Sequence, residues 1–529
     1  MKHYTVSSLK TDLFNPVVQE YLKDPAYTSP LTDSSAKSEM IERVSDNFSA
    51  DKRSVLVDAL REQYSRLKIS ETGEKVSEQI SLLENSNTCT IVTGQQIHPA
   101  LGPLLVFYKI LSCLDTAEKY KEEHPEYDFV PIFWMATEDH DLAEVQRVTL
   151  YNDVFVWDTD QTGPVGRMET SGLVNLMEQL EERVDDTPDH HEFLKLCKEC
   201  YSAHDNFADA TREIVHRLFG GHGIVVLDPD DQSLKSLFAK HMERDLIDHS
   251  LFRRINEAKA TMKERGFPIP INGREINHFY IEDGLRERLD RKGDTWEVLN
   301  TDIRFSEEEL RNELKKHPEK FSPNALIRPM YQQHILPSLN YIAGGSEFMY
   351  WLELRKMFES EAVVYPHVQI RTSAFIIGEN LVGQIEKSPL ELEDFFLPKD
   401  DLVRKTENTT GDALVNMRSA TDALEDAFSK LASIEAQTIN NQGLGRAKRK
   451  LNESLDIYKQ ILEDAVVEKA KDGEIVQKML KIRKKLWGNS IQERKDCILR
   501  YIPELQAELV RNDRSLYHDP KQIQVLVKA

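Results

Sequence analysis

Three carboxylates and one imidazole occupy four consecutive positions in the first third of the chain. They are Glu138, Asp139, His140 and Asp141, and they directly follow the apolar run 129–134. Like charges this close raise one another's pKa values, which suits them to proton transfer or cation binding. The alternative is a solvated helix N-terminus, where acidic residues are favoured in any case. We predict a catalytic role for all four residues. The cluster leaves a metal open, but His-x-Asp spacing alone does not indicate one, so we assign no metal ligands.

A second candidate site is the turn Thr93, Gly94, Gln95 and Gln96, which follows the β-branched run 88–92. Gly94 allows the backbone to approach a ligand closely, and the two glutamines offer amide donors. The helix expected next would direct its positive N-terminal end at the same place, which favours an anion. The alternative is an ordinary strand-to-helix turn, since the motif is neither a Walker loop nor GxGxxG.

A third group consists of Arg328, Gln332, Gly344, Gly345 and Glu347. The arginine is suited to a forked contact with a carboxylate or phosphate. The two glycines end one predicted strand and begin a helix, which repeats the geometry of an anion site. The alternative is a structural ion pair between the arginine and Glu347. We assign this group, with the 93–96 turn, to substrate binding.

A basic and aromatic segment lies near the C-terminus and includes Trp487, Gln492 and Arg494. The indole is suited to stacking on an adenine. A basic run at a helix C-terminus, however, commonly just complements the helix dipole, and the residues alone favour that interpretation.

The acidic cluster and the 93–96 turn belong to one strand-helix-strand unit, residues 88–145. Between the two apolar runs, leucine and tyrosine recur mostly at spacings of three and four, which predicts a helix; these residues are Leu101, Leu104, Leu105, Tyr108, Leu111 and Leu114. Two strands joined by such a helix are expected to be parallel with a right-handed crossover. Both turns then emerge side by side at the carboxyl ends of neighbouring strands, where open α/β sheets bind ligands.

The remaining pattern predicts an α/β core with a parallel sheet, extending over 88–384 and following a helical segment, 1–87, that packs on it. Strands are expected within 148–158, 223–228, 339–343 and 362–370, and helices within 172–218, from Gln232, and over 330–336 and 346–358. Two charged or irregular stretches, at about 148–215 and 235–320, interrupt the core as insertions, the second with short strands at 278–282 and 296–299.

Residues 385–529 change character, because glycine and proline become rare and an apolar stripe continues along a charged helix. The stripe comprises Leu451, Leu455, Tyr458, Leu462, Val466, Ile475, Met479, Ile482 and Leu486, and a similar one runs through 412–438. An Asn/Gly turn at 440–443 then predicts an antiparallel α-helical coiled-coil hairpin followed by a tail. Either the hairpin forms a homodimer interface or it packs on its own core, and the pattern leaves both open.

Composition restricts the class of protein. Among 529 residues, 40% are hydrophobic and 30% are charged, which is typical of a globular protein. The net charge of −22 argues against nucleic acid as a partner. We expect a cytoplasmic protein, because no stretch approaches the roughly 20 apolar residues of a membrane span and the N-terminus lacks a signal peptide. Of five cysteines, Cys197 and Cys200 form one CxxC without a second, so we predict two ordinary helical thiols.

Three long runs resemble the BshC family of bacillithiol biosynthesis: TGQQ to YKI at 93–110, PIFWMATEDHDLAEV at 131–145, and RPMYQQHILPSLNYIAGGSEFMYW at 328–351. The resemblance extends to the GIVVLD strand and to QER at 492–494, and it covers essentially the whole chain. It implies a Rossmann-like nucleotidyltransferase core with two connecting-peptide insertions and a dimerising C-terminal coiled coil. It also implies similarity to class I cysteinyl-tRNA synthetases and to the mycothiol cysteine ligase.

The family resemblance implies a carbon-nitrogen ligase that adds cysteine to glucosaminyl-malate in the last step of making bacillithiol, a low-molecular-weight thiol. ATP or ADP is implied as a cofactor, with a second nucleotide site at Trp487, Gln492 and Arg494. The TGQQ turn falls where the family's relatives carry a HIGH motif, which is the basis for including His98 among the substrate-binding residues. The chain departs from those relatives because it has no KMSKS lysine loop after residue 370.

A working mechanism follows from the resemblance and the residues together. Cysteine is activated as an acyl-adenylate or acyl-phosphate held at the helix N-terminus after Gln96, and His140 or an adjacent carboxylate takes the amine proton. Alternatively the carboxylates clamp the amine in its ammonium form, while Arg328 binds the malate carboxylates. Two competing hypotheses are a non-catalytic, nucleotide-sensing scaffold and a ligase for a different amine-bearing sugar or thiol.

Overall fold

In a computed structural model, the described residues are 2–33, 35–151, 153–410, 467–487, 491–510 and 517–528, with scattered residues between 423 and 465. They divide into two compact units. The large unit consists of Phe14–Ala374 and Glu493–Gln524. The small unit consists of Met1–Leu13, Phe375–Gln492 and Val525–Ala529.

The strands, in chain order, are β1 Lys2–Ser7, β2 Thr88–Gln95, β3 Asp128–Met135, β4 Arg147–Leu150, β5 Asp153–Val156, β6 Val225–Leu227, β7 His278–Glu282, β8 Leu285–Lys292, β9 Thr295–Val298, β10 Arg304–Ser306, β11 Phe321–Pro323, β12 Ser338–Ala343, β13 His367–Ile370, β14 Ser373–Gly378 and β15 Gln522–Lys528. The helices are α1 Pro16–Lys23, α2 Lys37–Asn47, α3 Ala50–Ser65, α4 Glu74–Leu82, α5 Leu105–Glu123, α6 Leu142–Val145, α7 Leu173–Glu181, α8 Pro188–Ala203, α9 Phe207–Phe219, α10 Gln232–Glu243, α11 Ser250–Glu264, α12 Glu307–Lys316, α13 Arg328–Ile335, α14 Gly345–Trp351, α15 Arg355–Ser360, α16 Glu379–Glu386, α17 Lys399–Thr410, α18 Glu474–Trp487, α19 Gln492–Lys495 and α20 Ile502–Leu509.

The large unit is built on a five-stranded sheet in the order β13-β12-β2-β3-β6. All four pairings are parallel, which confirms the predicted parallel relation of the first two strands. Gly94 pairs with Trp134 at the carboxyl end, so the two predicted turns do emerge side by side. Nearly every residue of β2 and β3 is buried, as expected for parallel strands covered on both faces. Helix α5 packs against both strands.

The strand order places a topological switch point between β2 and β12. The chain leaves β2 toward β3 on one side of the sheet, and it leaves β12 toward β13 on the other side. Connections that diverge in this way leave a crevice at the carboxyl ends of the two strands, and ligands of open α/β sheets bind there. The fold therefore directs attention to the ends of β2 and β12, in addition to that of β3.

The segment predicted as a second insertion has its own antiparallel sheet, in the order β10-β9-β8-β7-β11. The predicted strands near 148–158 form the antiparallel hairpin of β4 and β5. Helix α10 begins at Gln232, as predicted, and Asp231 caps it because its side chain accepts hydrogen bonds from the backbone N–H groups of Ser233 and Leu234. Cys197 and Cys200 are free, buried thiols of α8.

Several predicted boundaries were wrong. The helix expected over 346–358 is two helices, α14 and α15. The strand expected over 362–370 is confined to β13. The segment 1–87, predicted as helical, begins with strand β1. Most important for the site, the helix after the 93–96 turn begins only at Leu105, because the intervening residues form a loop with a short 3₁₀ turn at Pro99–Leu101.

The small unit contains most of the residues of a sheet in the order β1-β15-β14. Helices α17 and α18 pack together through Val403 and Val476, with Val467 in the same apolar cluster. Of the predicted coiled-coil stripe, Met479, Ile482 and Leu486 are buried in α18. The remainder lies largely outside the described residues, including 412–438 apart from a few positions, the 440–443 turn, and Leu451, Leu455, Leu462 and Val466. The hairpin therefore stays a prediction. Among the described residues, no helix combines the length and apolar character needed to cross a membrane.

Helix α9 is tied to the segment after α3 by the buried carboxylate of Glu213. It accepts hydrogen bonds from the backbone N–H groups of Lys68 at 3.0 Å and Ile69 at 2.8 Å, and from the Ser70 hydroxyl at 2.8 Å. His204 Nε2 also contacts it. Burial alone would raise the pKa of Glu213, but these partners lower it from 4.5 to about 2. The ionised form therefore stabilises the fold.

We expect Glu213→Gln to lower the free energy of unfolding at pH 7 by about 1.5–3 kcal/mol, the range for hydrogen bonds to a charged group. Because the folded-state pKa lies below the unfolded value, the wild-type contribution is present above about pH 4.5 and is lost as the pH falls toward 2. Urea unfolding of both proteins between pH 7 and pH 3 measures this difference. Glu192→Gln, at an exposed position, is the matched control. A stability difference between wild type and Glu213→Gln that does not change with pH would contradict the stabilising role of the ionised Glu213 carboxylate.

Candidate functional site

A cavity of about 690 Å³ lies at the carboxyl edge of the parallel sheet, wholly within the large unit. The ends of β2, β3 and β12 contribute to its walls, together with the first residues of α13 and α14 and side chains from the antiparallel sheet. Most of the predicted site residues line it: Gly94, Gln95, Gln96, Glu138, Asp139, His140, Arg328, Gly344, Gly345, Glu347 and Arg494. The fold therefore brings together the acidic cluster, the 93–96 turn and the 328–347 group, with Arg494 from the C-terminal segment.

Three predicted residues next to these groups are instead engaged away from the cavity. The Thr93 hydroxyl donates to the Ile342 carbonyl at 3.0 Å, inside the sheet. His98 is buried with Nδ1 at 3.2 Å from the Val145 carbonyl, and burial lowers its pKa to about 4. Asp141 caps α6, because its carboxylate accepts from the backbone N–H of Glu144. These contacts are structural, so the substrate-binding role predicted for His98 has no support from its position.

Trp487 and Gln492, predicted for a second nucleotide site, are engaged within the small unit. The Trp487 indole N–H donates to the Phe395 carbonyl at 3.0 Å, and its ring packs edge-on against Phe375 and Phe396. Gln492 exchanges two hydrogen bonds of 2.8 Å with the backbone of Ile376. The position of Trp487 favours a role in packing over stacking on an adenine.

At the switch point, the buried ammonium of Lys109 connects β2 to α14. Its Nζ lies 2.7 Å from the Gly94 carbonyl, 3.0 Å from Gln95 Oε1 and 2.5 Å from Glu347 Oε2. An ammonium has three N–H donors, so these contacts use all of them. Lys109 therefore holds the turn in shape and keeps the Gln95 carbonyl oxygen occupied, which leaves the Gln95 amide NH₂ for a ligand.

Glu347 is itself fixed by several donors. Besides Lys109, it accepts from the Tyr341 hydroxyl at 2.8 Å and from the Gly344 backbone N–H at 2.7 Å. Burial would raise the pKa of Glu347, but the Lys109 ammonium and these hydrogen bonds lower it overall. The Glu347 carboxylate is therefore ionised, and it pairs with Lys109. The structural ion pair between Arg328 and Glu347, which was the alternative to substrate binding, is not formed.

The acidic cluster is supported from beneath by cations. Glu138 lies 2.8 Å from the Nζ of Lys235, which is fully buried and also lies 2.9 Å from Asp230. Arg167 in turn binds Asp230 with two hydrogen bonds, of 2.7 and 3.0 Å. The acidic residues are therefore not a set of uncompensated like charges.

Asp139 shows the consequence for the pKa values. Gln96 Nε2 donates to its carboxylate at 2.7 Å, and Arg286 lies 3.9 Å away. Burial raises the pKa of Asp139, but the Gln96 hydrogen bond and Arg286 outweigh burial and lower it. The prediction that neighbouring carboxylates raise one another's pKa was thus wrong for this residue. Because Gln96 uses its amide NH₂ here, its carbonyl oxygen is the atom left for a ligand.

Arg328 and Arg494 are the cavity cations left without a carboxylate within 4.0 Å in the part of the chain that the structure describes. Arg328 donates to Gln332 Oε1 at 2.9 Å and to the Tyr350 hydroxyl at 3.3 Å. Its guanidinium also lies 5.8 Å from the Trp134 ring and 5.7 Å from the Tyr341 ring. The position of Gln332 thus supports Arg328 rather than the ligand.

Arg371, by contrast, is already neutralised. It forms two hydrogen bonds with the buried carboxylate of Glu493, at 2.9 and 2.6 Å. Arg328 and Arg494 therefore supply the positive charge that an anionic ligand of this cavity would meet.

Comparison with known proteins gives this geometry a family. The model of the bacillithiol biosynthesis BshC N-terminal Rossmann-like domain matches residues 1–372. The chain belongs to the BshC family. The match includes all five strands of the parallel sheet and every cavity-lining residue named above except Arg494. The Rossmann-like character expected from the sequence is confirmed.

Three relatives in the BshC family align along nearly their whole length. A protein of Flavobacterium johnsoniae named "Putative cysteine ligase BshC" is 33% identical over 514 residues, which is 96% of this chain and 96% of the relative. Proteins of the same name from Flavobacterium psychrophilum and Christiangramia forsetii are 34% and 33% identical. They align over 97% and 96% of this chain and over 97% and 95% of their own length.

Sequence reasoning missed four charged residues of this BshC site: Lys109, Lys235, Arg286 and Arg371. Lys109 did leave a signal, because it is a single charge in the apolar helix segment LVFYKILSCL. Arg286 left none, since it lies in a stretch of many alternating charges, and only the antiparallel sheet carries it to the cavity.

Proposed function

We propose that this protein is a ligase that adds cysteine to the amine of glucosaminyl-malate, the last step of bacillithiol biosynthesis. The names of its relatives support a cysteine ligase. The observation that carries the proposal is the division of charge in the cavity, where Arg328 and Arg494 lack carboxylate partners among the described residues and Glu138 and Asp139 offer carboxylates. A substrate with a dicarboxylate at one end and an amine at the other complements such a cavity.

The cations bind the malate end in this proposal. Arg328 is the better placed of the two, because its guanidinium is fixed by Gln332 and Tyr350 and flanked by two aromatic rings. A fixed guanidinium presents its N–H groups to a carboxylate in a forked geometry with little loss of freedom. Asp139 and Glu138 hold the glucosamine amine in its ammonium form.

The proposed reaction forms an amide from an activated cysteine carboxyl group, an acyl-adenylate or acyl-phosphate made from ATP. The amine lone pair forms the new C–N bond to the acyl carbon, and the C–O bond to the phosphate breaks with its electrons going to the leaving phosphate. Because the amine is bound as an ammonium, one proton passes to a nearby base before the attack, and a second leaves the nitrogen as the amide forms. The free amide of Gln95 and the first residue of α5, Leu105, face the cavity where this phosphate would bind.

Incubating the purified protein with ATP, cysteine and glucosaminyl-malate under reducing conditions tests the proposal. Mass spectrometry is expected to show the cysteinyl product, with stoichiometric consumption of ATP. Product formed only from another amine-bearing sugar would indicate a different ligase. Absence of both product and ATP turnover would contradict the ligase and favour the nucleotide-sensing scaffold.

We further propose that the core is a nucleotidyltransferase with connecting-peptide insertions at about 148–215 and 235–320, and that two copies associate through the coiled coil. The cavity at the switch point supports the nucleotidyltransferase core. The dimer is supported by two exposed isoleucines, Ile457 and Ile461, with 62% and 59% of their surface accessible. Light scattering is expected to give twice the mass of one 61.1 kDa chain. A monomer at micromolar concentration would contradict the dimer.

A further inference from the structure

His140 receives a hydrogen bond from a side chain that has no acceptor. Nη1 of Arg286 lies 2.6 Å from its Nδ1. A guanidinium carries only N–H donors and stays protonated in proteins, so Nδ1 must present its lone pair. An imidazole that accepts at Nδ1 is neutral and carries its single proton on Nε2. The geometry thus determines both the charge and the tautomer of His140.

Arg286 is held in place on several sides. Its guanidinium stacks on Phe279 at 3.9 Å, and it donates to the Ser322 hydroxyl at 3.3 and 3.2 Å. It also contacts the Pro323 carbonyl at 3.4 Å, and its side chain is 7% exposed. A guanidinium fixed in this way cannot turn aside at low cost, so protonating Nδ1 would set two N–H groups and two positive charges against each other.

Three carboxylates oppose this effect. Asp139 Oδ1 lies 3.8 Å from Nδ1, and the more distant Asp141 and Glu287 also favour the imidazolium. Burial and Arg286 outweigh them, and the pKa of His140 lies below its ordinary value. The neutral form therefore dominates at neutral pH.

We propose that Arg286 is a positioning residue that fixes His140 as the Nε2–H tautomer, so that His140 donates a hydrogen bond to a ligand oxygen instead of accepting a proton. Its side chain is 44% exposed and lines the cavity, and Nε2 has no hydrogen-bond partner in the described ranges. The oxygen is that of an acyl carbonyl or a phosphate, where negative charge develops during acyl transfer. This identification of the oxygen rests on the proposed function.

The sequence left open whether His140 or an adjacent carboxylate takes the amine proton. With His140 unable to take the amine proton, the acceptor is an adjacent carboxylate, and Glu138 and Asp139 both line the cavity. Asp139 and Glu138 then handle the amine, while His140 and Gln95 face the acyl group. The four-residue cluster thus has two separate tasks.

Hydrogen-deuterium exchange at the histidine C2 position, read by mass spectrometry on the full chain, tests without any substrate whether Arg286 opposes protonation of His140. In wild type, the midpoint of the His140 exchange profile is expected below about pH 6.5, the ordinary value. In Arg286→Leu, it is expected to rise by about one pH unit, because the cation is lost and the three carboxylates remain. Unchanged profiles of buried His204 and His334 show that the fold is intact. A His140 midpoint that stays the same in the variant would overturn the proposal.

A pair of substitutions separates a donor from a base in the ligation assay. The amide nitrogen of His140→Gln reaches the position of Nε2 and donates but cannot take a proton, whereas His140→Ala does neither. We expect His140→Gln to retain at least about tenfold more kcat/KM than His140→Ala, the worth of a hydrogen bond of about 1.4 kcal/mol. Equal losses would overturn the donor role. If wild type forms no product, the proposed function fails, whereas the exchange experiment still tests the contact between Arg286 and His140.

Discussion

Replacing Lys235 by methionine is expected to lower the free energy of unfolding by about 3–5 kcal/mol, the largest effect on stability that we predict. The Lys235 ammonium is fully buried between Glu138 and Asp230, at 2.8 and 2.9 Å. Methionine has a similar length and fills the space, so the loss comes from leaving two buried carboxylates without their shared cation. Arg167 still binds Asp230 in the variant, so Glu138 is the carboxylate that loses its counterion.

Urea unfolding at pH 7 measures this change. Lys240→Met, on the exposed face of the same helix, is the matched control, and it is expected to change the free energy of unfolding by less than about 0.5 kcal/mol. The effect of Lys235→Met is also expected to shrink at acid pH, because protonation of the carboxylates removes the uncompensated charge. Equal stability of the two variants would show that Lys235 is not the counterion of the acidic cluster.

The second large effect is on binding. Arg328→Met is expected to weaken the binding of glucosaminyl-malate by about ten- to hundredfold, which corresponds to the 1.5–3 kcal/mol of a hydrogen bond to a charged group. The reason is that Arg328 has no carboxylate partner within 4.0 Å among the described residues, so its charge is free to meet the malate. Arg371 cannot replace it, because Glu493 already binds both ends of that guanidinium.

Isothermal titration calorimetry on the full chain measures the affinity of each variant. Arg254→Met is the matched control, since this arginine is on the surface, pairs with Glu257 and does not line the cavity. Thermal unfolding of Arg328→Met checks that leaving Gln332 without its partner has not disrupted the fold. An unchanged dissociation constant for Arg328→Met would remove the malate role from this residue.

The sequence predicted the frame of the site because its signals are local. An apolar stripe between two apolar runs predicts a strand-helix-strand unit, and the two strands of such a unit are expected to be parallel with a right-handed crossover. Gln95, Asp139 and Gly344 could be assigned to the carboxyl edge of the parallel sheet, because each lies at or just after the end of a predicted strand. The position of Glu138 and Asp139 at this edge needed no knowledge of distant residues.

The contacts that determine the chemistry are long-range, and the sequence could not supply them. Arg286 reaches His140 from a sheet 146 positions later, and Arg371 is neutralised by Glu493 across 122 positions. The role predicted for His98 from the placement of the HIGH motif has no support from its position, because a loop follows the 93–96 turn. Its ring turns inward to the Val145 carbonyl.

Calorimetric titration of wild type with three related ligands tests the division of charge in the cavity most directly. Glucosaminyl-malate carries both charges, its N-acetyl derivative lacks the ammonium, and glucosamine lacks the malate. We predict that removing either end weakens binding at least about tenfold, because each end loses a charge-assisted hydrogen bond. Equal affinity for all three ligands, or no binding of glucosaminyl-malate, would contradict the proposed site.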